Sequence, residues 1–140
     1  MIATCVSNEP TALADHQRSR ASAFESAYPL TPGRQYAVVG MSITETVLHF
    51  LVEDDRGNAR FAPAGLFDLI ESAIPPGWRF SLGTGVRASG RNLWSDPVVA
   101  TWGYPELVED PEHFTALVGG DPQAVAVFAR EVACAYGRGE

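Results

Sequence analysis

The sequence predicts an α+β domain: a bent antiparallel sheet of about five strands, a short helix after the third strand, and two C-terminal helices packed on one side. Three observations carry this. Two β-branched and aromatic runs, residues 36–43 and 46–53, precede an acidic Glu53-Asp54-Asp55-Arg56-Gly57-Asn58 turn and a short apolar run at 59–61. Such runs beside turn chemistry are the mark of an antiparallel meander. Trp78-Arg79-Phe80-Ser81-Leu82 then alternates apolar and polar residues with the period of a strand. Finally, Asp110-Pro111 and Asp121-Pro122 each place a helix cap before a proline that tolerates the first helical position.

Taken in order, residues 1–33 are rich in Ser, Ala, Thr and Pro. They read as an irregular or partly helical arm that packs weakly on a domain formed by 34–140, with 11–27 as its helical part. The run 36–43 is apolar on both faces apart from Gly40 and Ser42, as in a central strand. The run 46–53 places Leu48, Phe50 and Val52 on one face and Val47, His49 and Leu51 on the other, so both faces should be covered. His49 reads as a satisfied sheet residue.

Pro63, followed by Leu66, Phe67, Leu69 and Ile70, predicts the short helix, ended by Ile74-Pro75-Pro76-Gly77. The strand at 78–82 should point Trp78, Phe80 and Leu82 inward. A flexible glycine-rich loop over 83–91 carries Arg87 and Arg91. Its Gly83-Thr84-Gly85 lacks the pattern of a phosphate cradle. Residues 98–102 form the fifth strand, and Gly103-Tyr104-Pro105 a turn. The helix from Asp110 stops at Gly119-Gly120. The last one presents Val125, Phe128, Ala129, Val132 and Tyr136 at helical spacing and ends at Gly137.

At 140 residues, a single domain can bury a sufficient core without disulfides or metal. No apolar run approaches the roughly 20 residues of a membrane span, and the N-terminus has no secretory pattern, so a cytoplasmic protein is expected. Cys5 and Cys134 show no disulfide spacing and read as free thiols. With three scattered histidines they offer no metal-ligand spacing either, and no cofactor is implied. The net charge of −7 argues against direct nucleic-acid binding, which needs a basic footprint.

No local motif supports catalysis, so a non-enzymatic role is expected. Charge distribution says more. Between Asn92 and Ala129 there is neither Arg nor Lys, whereas Asp96, Glu106, Glu109, Asp110, Glu112 and Asp121 fall in that span. Glu53, Asp54 and Asp55 form a second acidic group at the hairpin tip. A solvated surface explains such charge. A landing face for a basic protein explains it too, with Trp102 and Tyr104 as aromatic anchors beside Glu106 and Glu109.

Several elements recur together in a known order. They are Tyr36-Ala37-Val38, Glu53-Asp54-Asp55 before Gly57, Phe61-Ala62-Pro63-Ala64, Leu66-Phe67-Asp68, Ile74-Pro75 with Trp78, Trp102-Gly103-Tyr104-Pro105-Glu106, and a final helix begun by Asp121 and carrying Phe128. Over about residues 34–130 the chain resembles small bacterial single-domain immunity proteins of polymorphic or contact-dependent toxin systems. The resemblance implies a cytoplasmic inhibitor that occludes a cognate toxin, with a basic nuclease domain as one possible target. The alternative is a small ligand-binding or regulatory domain using a cavity lined by Trp78, Phe80 and Trp102.

Overall fold

The computed structural model describes residues 1–13, 27–44, 47–82 and 98–137. The fold is α+β. Strands β1 (Ile2–Cys5), β2 (Gln35–Ala37), β3 (Gly40–Thr44), β4 (Val47–Glu53), β5 (Ala59–Pro63), β6 (Phe67–Glu71), β7 (Arg79–Leu82) and β8 (Val98–Gly103) precede helices α1 (Pro105–Glu109), α2 (Pro111–Val118) and α3 (Pro122–Ala135). The strands form two antiparallel sheets where one was expected: a three-stranded sheet ordered β2-β1-β6 and a five-stranded sheet ordered β5-β4-β3-β8-β7.

β4 divides the interior. Its Phe50 and Val52 join Ala3, Cys5, Tyr36, Val38, Leu66 and Phe67 in a core shared with the three-stranded sheet. Its Leu51 faces the opposite way, into a core with Leu107, Phe114, Leu117, Phe128 and Val132 of the helices. The alternation read along 46–53 therefore reflects two apolar layers on a single strand.

The N-terminal residues depart from the expected weakly packed arm. β1 is the middle strand of its sheet, pairing with both β2 and β6. Ala3, Cys5, Leu13, Tyr28 and Leu30 are all buried. Within 11–27, Thr11 and Ala12 belong to a 3-10 turn, Pro10–Ala12; residues 14–26 lie outside the described residues.

The single strand expected over 36–43 is two. The chain leaves one sheet after Ala37 and enters the other at Gly40, with Val38 N–H donating to Met1 and Val39 N–H to Leu51. Val38 packs in one core and Val39 in the other, which is why the run is apolar throughout. The short helix expected after Pro63 is a 3-10 turn, Ala64–Leu66, followed by β6. A short apolar run does not distinguish helix from strand, and pairing with β1 decides the matter. Phe80 and Leu82 point outward rather than inward, at 50% and 66% exposure. A five-residue helix, α1, fills the place expected to be a turn.

The remaining helices start where their caps predict. The Asp110 carboxylate accepts from Glu112 N–H, and that of Asp121 from the N–H groups of Gln123 and Ala124. α3 buries Ala124, Phe128 and Val132, with Ala129 exposed. The stripe is thus rotated slightly from the expected one. Cys5 and Cys134 are free thiols, the first buried and the second exposed. No helix among the described residues is long and apolar enough to cross a membrane.

Candidate functional site

The expected acidic groups are largely engaged within the molecule. Asp54 is only 3% exposed; its carboxylate accepts from the backbone N–H groups of Arg56 and Asn58, each at 2.9 Å, and pairs with Arg60 at 3.2 Å. It holds the β4–β5 turn, in which Gly57 adopts φ +80°. Asp55 accepts from the hydroxyls of Thr31 and Tyr36, both at 2.6 Å, and from Arg34 at 2.8 Å. Its backbone N–H donates to Pro29. Asp55 therefore clamps residues 29–36 onto the hairpin. Burial pushes its carboxyl up, but the hydrogen bonds from Thr31 and Tyr36 and the Arg34 charge outweigh that and leave it below the ordinary range. Glu53 stays half-exposed at the end of β4.

The second group is similarly engaged. Glu106 meets Arg130 at 2.9 Å, and the same guanidinium reaches Glu131 at 3.3 Å. Glu109 meets Arg79 at 3.0 Å. The negative face expected over 106–112 is thus partly neutralised by the chain's own arginines. Asp110 caps α2 and stays exposed, as does Glu112, which forms no ion pair among the described residues. Tyr104, expected as an anchor, is 2% exposed and forms a 2.7 Å hydrogen bond with His113 Nε2. Burial raises the phenol's pKa and lowers that of the imidazole, so both partners are neutral near pH 7. This pair anchors α2 to the end of β8 and is closed to a partner. Asp96, Arg87 and Arg91 lie outside the described residues.

Trp102 is the expected anchor that remains accessible, and β7 gives it company. The Phe80 ring lies 4.7 Å from the Trp102 ring, centroid to centroid. Cross-strand pairing aligns Ala62, Phe50, Met41, Trp102 and Phe80 in one row across the five-stranded sheet. Burial falls steadily along it: Ala62 and Phe50 lie under the three-stranded sheet, Met41 and Trp102 are half-buried, and Phe80 is exposed. A second row runs Leu48, Ile43, Ala100 and Leu82, ending likewise on an exposed side chain. Among the described residues, the three-stranded sheet thus covers β4 and β5 and leaves the β8–β7 end apolar and open.

On the opposite face, β7 and β8 border a cleft of about 430 Å³ lined by Phe80, Ser81, Thr101, Leu107, Val108, Glu109, Pro111 and Phe114. The Glu109-Asp110-Glu112 turn therefore stands beside the same sheet edge as Phe80. Of the three aromatics expected to line a cavity, Trp78 packs on the core shared with the three-stranded sheet, and Phe80 meets Trp102.

Reasoning from sequence misses Phe80 and Leu82 because alternation tells which residues share a face and not whether that face is covered. No cluster of three or more His, Cys, Asp or Glu side chains able to hold a metal ion occurs among the described residues. No family model, curated protein or solved structure matches the chain.

Proposed function

We propose that this chain is a non-catalytic protein-binding domain that docks a basic protein on the open β8–β7 end of its five-stranded sheet. The observation that carries the reading is the burial gradient from Ala62 to Phe80, which leaves Phe80, Leu82 and Trp102 as a contiguous apolar surface. Soluble domains seldom expose large apolar side chains side by side unless something covers them. Aromatic side chains are favoured centres of binding energy. The partner's charge follows from the net −7 of the chain and from Asp110 and Glu112 beside that edge. Such charges steer association, and the apolar centre holds the complex together. The resemblance to immunity proteins gives this reading its biological form, a cognate toxin as the partner and its occlusion as the outcome.

A photo-crosslinking residue at position 82, compared with one at the exposed position 126 on α3, tests the surface in cells of the source organism. A covalent adduct with a basic protein at 82, lost on Phe80→Ser, is expected. Adduct formation only at 126 would move the interface to the helical face and overturn the proposal.

A further inference from the structure

The cleft on the helical side of β7 and β8 is a separate feature, and its chemistry differs from that of the open apolar face. Ser81 and Thr101 are cross-strand neighbours, and the row they begin continues through Ser42 to His49. Three hydroxyl side chains thus occupy adjacent strands on a face otherwise packed against apolar helices. The Ser42 hydroxyl makes no hydrogen bond although the residue is only 1% exposed. Burying an unsatisfied hydroxyl is unfavourable, so packing alone would select an apolar residue there; Ser42 itself lies one strand beyond the residues that line the cleft. Among the described residues, the Ser81 and Thr101 hydroxyls engage no other group of the protein.

We propose that the cleft binds a small neutral molecule with a flat apolar body and one edge carrying both a donor and an acceptor. The volume of about 430 Å³ lies within the roughly 300–1,000 Å³ of small-molecule sites. Leu107, Val108 and Phe114 supply apolar walls, and the hydroxyls of Ser81 and Thr101 face the edge of the ligand. A hydroxyl donates and accepts, which suits an amide or heteroaromatic edge. Glu109 at the rim is already paired with Arg79, so among the described residues the site offers no free cation to an anion. Its carboxylate repels one. This site needs no protein partner; it opens on the helical side of the sheet and shares Phe80 at its border with the apolar surface.

The test is an NMR titration of the ¹⁵N-labelled protein with three isosteric probes: benzamide, benzylamine and benzoate. Benzamide should give saturable shifts at Ser81, Thr101 and residues 107–114 with a Kd below about 1 mM, and benzoate the weakest binding. Thr101→Val, which keeps the shape and removes the hydroxyl, should weaken benzamide about 5–10-fold. Val108→Trp should fill the cleft and abolish the shifts. The proposal is overturned if benzamide does not saturate at these residues, if either charged probe binds best, or if Thr101→Val leaves the benzamide affinity unchanged. That last outcome holds whether or not Val108→Trp folds.

Discussion

Asp55→Ala would unfasten the N-terminal segment from the hairpin, and the cost can be worked from the contacts. The bond from the Tyr36 hydroxyl reaches a charged acceptor from a ring that is itself buried. Hydrogen bonds to charged groups contribute about 1.5–3 kcal/mol, and this one falls toward the lower end because the Asp55 side chain is partly solvated. The Thr31 and Arg34 contacts are exposed and together add about 0.5–1 kcal/mol. The Tyr36 hydroxyl keeps the Thr31 N–H as donor, so it is not stranded. The expected loss is about 2–3 kcal/mol, or roughly 6–15 °C in Tm for a domain of this size. Urea denaturation of the variant measures it.

The pH dependence gives an independent check on the same clamp. Asp55 has a folded pKa below its ordinary value, so its contribution is complete above about pH 4 and is lost as pH falls through the lower folded value. The gap between wild type and Asp55→Ala should therefore close on acidification. A loss below about 0.5 kcal/mol at neutral pH, the size of an ordinary surface substitution, would refute the clamp.

Other consequences follow from the same packing. His113 is buried neutral with a lowered pKa, facing Tyr104 with Glu106 and Asp110 nearby. Wild-type stability should fall as pH drops below about 6.5, because the unfolded chain takes up the proton first. His113→Gln should flatten the slope between about pH 5 and 6.5 in a denaturation series. Gly103→Ala should cost about 2–4 kcal/mol in urea midpoints. The residue sits at φ +153°, and a Cβ there would lie 2.7 Å from Leu107 Cδ2 and 3.0 Å from the Val39 carbonyl oxygen.

The sequence carries some of this plainly and hides the rest for physical reasons. Asp110-Pro111 and Asp121-Pro122 announce two helices because capping is local chemistry, set within four residues. The alternation in β4 announces two covered faces without saying that a second sheet supplies one of the covers. β1 escapes a sequence reading because four residues from Ile2 carry no turn signal, and their partners stand at 35–37 and 67–71. Asp54 and Asp55 are legible as acidic, but their engagement is not, since Arg60, Thr31 and Tyr36 come to them only through the turn and the clamp. Tyr104 looks like an anchor for the same reason: its partner His113 sits on a helix that folds back over it. Trp102 stands out in the sequence as an accessible aromatic, while its neighbour Phe80 needs the sheet order to be seen as exposed.

The central claim is that the uncovered apolar end of the large sheet holds a basic partner. Surface plasmon resonance measures this directly, as the dissociation rate of the partner, identified by crosslinking and purified in its free form, from the wild-type chain and from Phe80→Ser/Leu82→Ser. Both positions are at least half exposed, so the double variant should stay folded, with a modest fall in stability of about 1–2 kcal/mol from the lost Phe80–Trp102 contact. Its dissociation rate should rise at least about tenfold, corresponding to about 1.4 kcal/mol of lost binding energy. An unchanged dissociation rate in a folded variant would contradict the account.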